Sequence, residues 1–85
     1  MTLPTIHLNG TTAQDLTDGY VAAMTAVSDA IEKVCKACPN GRDYYPQGQP
    51  AMQAAQDEHW ARLKLLKQVH AELEQLAIHC SDHIK

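Results

Sequence analysis

Apolar residues recur along this chain at helical spacing in two long blocks, separated by a stretch rich in proline and glycine. In the first block Leu16, Tyr20, Ala23, Val27, Ala30, Val34 and Ala37 step by three and four, which sets them on one side of an α-helix. Met24, Ile31 and Cys38 widen that stripe. Thr12 stands just ahead of it with Asp15 three residues on, a pairing suited to the free N–H groups of a first helical turn. Asp15 and Asp18 also match the positive end of the helix dipole. The pattern predicts a helix over 12–38, ended by Pro39-Asn40-Gly41. Gly19 weakens its first turns and leaves room for the close approach of another helix.

The second block carries Met52, Ala55, His59, Leu63, Leu66, Val69, Leu73, Leu76, Ala77, Cys80 and Ile84 as the expected buried face of a helix over 50–82. Pro50 is a favourable starting residue. Glu58, Arg62, Lys67, Gln68, Glu72 and Glu74 supply a solvated flank. Leu65 lies off the buried face and points to a second partner. At about 1.5 Å per residue the two helices are each roughly 40–50 Å long.

Residues 39–49 are expected to form a loop, because Pro39, Gly41, Pro46 and Gly48 oppose a helix there. It is longer than the roughly 2–8 residues usual between antiparallel helices. At the other end, residues 1–11 read as an extended arm: Ile6, His7 and Leu8 alternate apolar and polar, and Asn9-Gly10 marks a turn. The arm either packs Ile6 and Leu8 on the hairpin or reaches a neighbouring subunit. The expected fold class is therefore all-α, a single domain built as an antiparallel two-helix hairpin with a short extended N-terminal segment. Ordering a residue costs roughly 1–2 kcal/mol of backbone entropy. A fully buried Leu or Val returns about 1.5–3 kcal/mol. One stripe per helix covers little of that cost, so completion by homo-oligomerisation is expected.

Charge and composition narrow the function classes. Ten acidic residues against seven basic ones, with no Lys/Arg cluster, oppose double-stranded nucleic acid as a partner. No apolar run is long enough to cross a bilayer, and Met1-Thr2-Leu3-Pro4 lacks the basic start and apolar stretch of a secretory signal. A cytoplasmic protein is expected. Three cysteines, an odd number, do not make a disulfide framework.

Two sets of side chains have metal-ligand chemistry. Cys35-Lys36-Ala37-Cys38 is a C-x-x-C, but its redox use needs a helix N-terminus and this one sits at a C-terminus. With His59 it offers three ligands, with Asp43 a poor fourth. The plainer reading puts Cys38 in the core and leaves Cys35 partly exposed. His79 and His83 lie one turn apart with His7 within reach, although surface histidines at a fraying end account for them more simply. No metal or other cofactor is expected. His59 and His70 fall on or beside the apolar stripe and read as core or interface residues, His59 being set apart by its place near the loop.

The richest candidate is the group Arg42, Tyr44, Tyr45 and Gln47 in the loop, with His59, Trp60 and Arg62 nearby on the second helix. Arginine offers a planar fork to phosphate or carboxylate. Tyrosine and tryptophan offer faces for a nucleobase. Gly41 and Gly48 let backbone N–H groups approach an anion. The same residue types dominate protein-binding hot spots, and tyrosines can also simply pin a long loop. No ordered nucleophile and base, no phosphate-cradling loop motif and no paired carboxylates accompany them, so an enzyme is not expected.

Ile6-His7-Leu8-Asn9-Gly10-Thr11, the helix after it, and Gly41-Arg42-Asp43-Tyr44-Tyr45-Pro46-Gln47-Gly48 together resemble small proteins of phages and prophages, over almost the whole chain. The resemblance transfers no catalytic residue. It implies a phage accessory protein acting against host defence. On that reading the loop group sequesters a small nucleotide-derived signalling ligand, with Arg42 on phosphate and Tyr44, Tyr45 or Trp60 on the base. The alternative is an inhibitor or adaptor that acts on a host protein through the 41–48 loop.

Overall fold

A computed structural model describes residues 1–84. The chain folds into α1 (Ala13–Lys36), a one-turn helix α2 (Gly41–Tyr44), a 3-10 turn (Tyr45–Gln47) and α3 (Gln49–Ser81), with no strand among the described residues. α1 and α3 pack along their lengths as the two arms of a hairpin, and α2 and the 3-10 turn rest on the beginning of α3.

Each boundary has a local cause. The Thr12 side chain accepts a hydrogen bond from the Asp15 amide at 3.1 Å and caps α1. α1 ends at Lys36, two residues short of Cys38. The segment 39–49, expected to be free of helix, is not: the Asn40 side chain accepts from the Arg42 amide at 3.0 Å and caps the turn Gly41–Tyr44. Pro46 then falls in the first turn of the 3-10 segment, where the N–H it lacks is not needed. Gly48 closes the connection at φ 95°, a backbone state that only glycine enters without strain. Pro50 likewise occupies the opening turn of α3, which begins one residue earlier than expected.

Burial follows a seven-residue rhythm. On α1, Ala13, Leu16, Tyr20, Ala23, Val27, Ala30 and Val34 are buried or half-buried; on α3, so are Met52, Gln56, His59, Leu63, Leu66, His70, Leu73, Ala77 and Cys80. Steps that alternate between three and four are those of an antiparallel coiled-coil seam. Val69 and Ile84, expected inside, are 43% and 40% exposed. Val69 lies one position outside the alternating seam, and Ile84 lies beyond the end of α3. The fully buried set is small and contains few large side chains: Ala13, His59, Leu63, Ala77 and Cys80.

The open end of the hairpin is closed by the N-terminal arm. The His79 ring donates from Nε2 to the Pro4 carbonyl at 2.7 Å, drawing the arm across α3. The Gly10 amide donates to the His7 carbonyl at 3.1 Å, forming the expected turn. The His7 ring lies against Gly10, where a Cβ would meet Nε2 at 2.8 Å. Ile6 is half-buried, whereas Leu8 is 99% exposed at the outside of that turn, so of the pair only Ile6 packs on the hairpin.

Candidate functional site

The loop end carries the candidate residues, and the fold divides them among three surroundings. Tyr44, Gln47 and Arg62 meet: they line one shallow hollow with Pro39, Ala51, Ala54, Ala55 and Glu58. Ala51, Ala55, Glu58 and Arg62 recur every three or four residues, so they form one side of α3, and the short side chains leave space over which Tyr44 lies. Tyr44 also borders a second hollow with Gly41, Tyr45, Gly48, Gln49 and Met52. This half-buried tyrosine anchors the connection to α3.

Arg42 and Tyr45 stand outward. Arg42 is exposed on the one-turn helix, and Tyr45 is 84% exposed at the turn that follows. His59 turns the other way. It is 5% exposed in the seam between the helices, and its Nε2 has no hydrogen-bond partner among the described residues. Trp60, one residue further round the helix, is 61% exposed, its ring edge-on to His59 at a centroid distance of 6.4 Å. His59 therefore belongs to the seam and is separated from the group in which the sequence placed it. A hundred-degree rotation per residue makes neighbours such as His59 and Trp60 diverge.

Electrostatics in the shared hollow are mixed. Arg62 Nη2 lies 3.9 Å from Glu58 Oε1, and both side chains are solvated. An anion placed against Arg62 would also face the Glu58 carboxylate. Gln47 and the Tyr44 hydroxyl add neutral polar groups. The arrangement is an open, amphipathic depression that offers one aromatic face, one guanidinium and one carboxylate.

Neither set of metal-ligating side chains comes together: among the described residues no three His, Cys, Asp or Glu side chains are grouped to hold a metal ion. Cys35 and Cys38 are both exposed, so Cys38 is not the core residue expected. Its place beyond the end of α1 takes it off the seam. The buried cysteine is Cys80, 0% exposed on α3. The His79 and His83 rings lie tilted to each other at a centroid distance of 5.0 Å, with His79 held by Pro4 and His83 Nδ1 donating to the His79 carbonyl at 2.9 Å. Their ring nitrogens close the open end structurally. Among the described residues no helix is long and apolar enough to cross a membrane.

The capping of the 41–44 turn is the feature of this region that sequence reading missed. Its signal was present in Asn40 two residues before Arg42, an Asx cap followed by residues free to turn. No protein-family profile, no curated protein and no solved structure matches the chain.

Proposed function

We propose that this protein is a non-enzymatic, self-associating binding module that presents the loop end of its hairpin to a partner protein. The carrying observation is the outward display of Arg42 and Tyr45 on a connection held down by Tyr44 and capped by Asn40. Rigid display of Tyr and Arg is what a protein-binding hot spot requires, because little side-chain or loop entropy is then lost on contact. The resemblance to small phage proteins makes a host defence protein in the bacterial cytoplasm the partner of choice.

The test is affinity capture from bacterial lysate with the full chain and with the double variant Arg42→Ala, Tyr45→Ala. Both residues are exposed, so the variant is expected to keep its helical circular dichroism and lose the captured protein. Capture unchanged by the double substitution would remove the loop end from the account.

A second reading, sequestration of a small nucleotide-derived ligand, is favoured by one observation: Tyr44, Gln47 and Arg62 line a common hollow. Glu58 beside Arg62 counts against an anionic ligand there. Calorimetry with cyclic and ADP-ribose-type nucleotides separates the two. Heat that disappears in Arg62→Ala would support this second reading over the first.

A further inference from the structure

We infer that the flank of α1 beside its α3 seam is the dimer interface of this protein, where it packs antiparallel against α1 of a second copy. The inference rests on the self-association proposed above and is independent of what the loop end binds. The single chain is far from compact. Its radius of gyration is 18.6 Å, against about 12 Å for a globular chain of this length. It exposes 6241 Å², about 1,200 Å² more than a folded monomer of its mass. A standard interface takes about 800 Å² from each partner. The surplus is therefore sufficient for a stable pair of hairpins.

The exposed large apolar side chains of α3, Trp60, Leu65, Val69 and Ile78, divide between its two flanks, whereas α1 carries one uninterrupted uncharged row. Beside the seam that faces α3 runs a second one: Thr17, Val21, Met24, Ser28, Ile31 and Cys35, again in alternating steps of four and three. None of the six is charged, and none is fully buried; Val21 is 48% exposed. The charged residues of α1 lie to one side of this row: Glu32 and Asp18 border it, and Asp15, Asp29, Lys33 and Lys36 lie further round the helix. A coiled-coil seam with one neighbour needs only the first row. The second flanks the groove between the helices, since Ser28 and Ile31 share a shallow hollow with Lys67 and His70 of α3.

The seam fits a copy of itself. Its steps read four, three, four, three, four in either direction, so an antiparallel α1 from a second chain meets it in register: Thr17 opposite Cys35, Val21 opposite Ile31, Met24 opposite Ser28. A twofold axis between Met24 and Ser28 makes the contact isologous and closed. The product is a four-helix bundle with both α1 helices side by side. The loop ends then point in opposite directions, so the bundle presents two copies of the Arg42–Tyr45 tip.

Sedimentation velocity on the full chain and on Val21→Glu and Leu65→Glu tests this. Leu65, 63% exposed on α3, marks the competing face that the sequence suggests, and a dimer lost in Leu65→Glu would overturn the α1 assignment. The expected result is a dimer for the native chain, with a thermal midpoint that rises with protein concentration. Val21→Glu should weaken association about a hundredfold or more, because each interface would hold two unpaired charges. Leu65→Glu should leave it unchanged. Mixing Val21→Glu with Ile31→Lys should restore a dimer by placing Glu opposite Lys, and this holds even if either variant alone is poorly folded. A dimer insensitive to Val21→Glu, or an assembly larger than a dimer, would overturn the assigned face while leaving self-association standing. A monomer with a concentration-independent midpoint would overturn both.

Discussion

The two ends of the hairpin each hold a histidine of α3, and they treat it oppositely. At the open end His79 donates to the Pro4 carbonyl and so fastens the N-terminal arm. At the loop end His59 is almost wholly buried and its Nε2 has no partner among the described residues. Leaving a buried polar group unsatisfied costs about 1–3 kcal/mol. The open end, with Ala13, Ala77 and Cys80 buried and the arm fastened to His79, is built for stability. The loop end tolerates an orphaned imidazole in its seam and displays aromatic and cationic side chains outside it. Sites that carry function are where such local costs accumulate.

Substitutions at the two ends should separate these roles. The largest effect is expected from His59→Leu, which replaces an unsatisfied ring by an apolar side chain of similar bulk. Urea unfolding should show a gain of about 1–2 kcal/mol; a loss would mean that Nε2 is satisfied in the assembled protein. His79→Ala should do the reverse, lowering stability by about 1 kcal/mol as the arm loses its hydrogen bond. Hydrogen exchange should then show faster exchange at the Gly10 amide and little change in the middle of α3. Smallest of all should be Tyr45→Ala, within about 0.5 kcal/mol by the same urea measurement, because an exposed side chain far from the seam supports no packing. A larger loss there would make Tyr45 a structural clamp and weaken its assignment to partner binding.

The fold was legible where the residues speak locally. Thr12 and Asp15, the three-and-four spacing from Leu16 to Val34, and Asn9-Gly10 each act within a few residues, and the structure places the α1 cap, the seam and the turn where they imply. Reading was poorer where direction round a helix mattered. Val69 and His59 both fall near the apolar stripe of α3. One position of rotation leaves Val69 partly exposed and puts His59 inside, away from the loop residues it was grouped with. Cys38 failed for a related reason, since the helix stops at Lys36 and the stripe it would have continued no longer exists there.

The sequence by itself determined that two long helices form, that they are joined near Pro39–Gly48, and that two tyrosines and an arginine gather at that join. Hydrophobic period, caps and turn residues are enough for this, because each works through the chain's own neighbours. Only the tertiary structure decided which of those side chains share a surface. Tyr44, Gln47 and Arg62 come together, Arg42 and Tyr45 stand free, His59 is taken into the seam, and a second uncharged row of α1 is left beside that seam, half-buried to exposed. These outcomes depend on the rotation of α3 against α1 and on how a capped turn lays the connection over its first residues. They are set by packing between segments distant in sequence, which no local pattern of residues encodes.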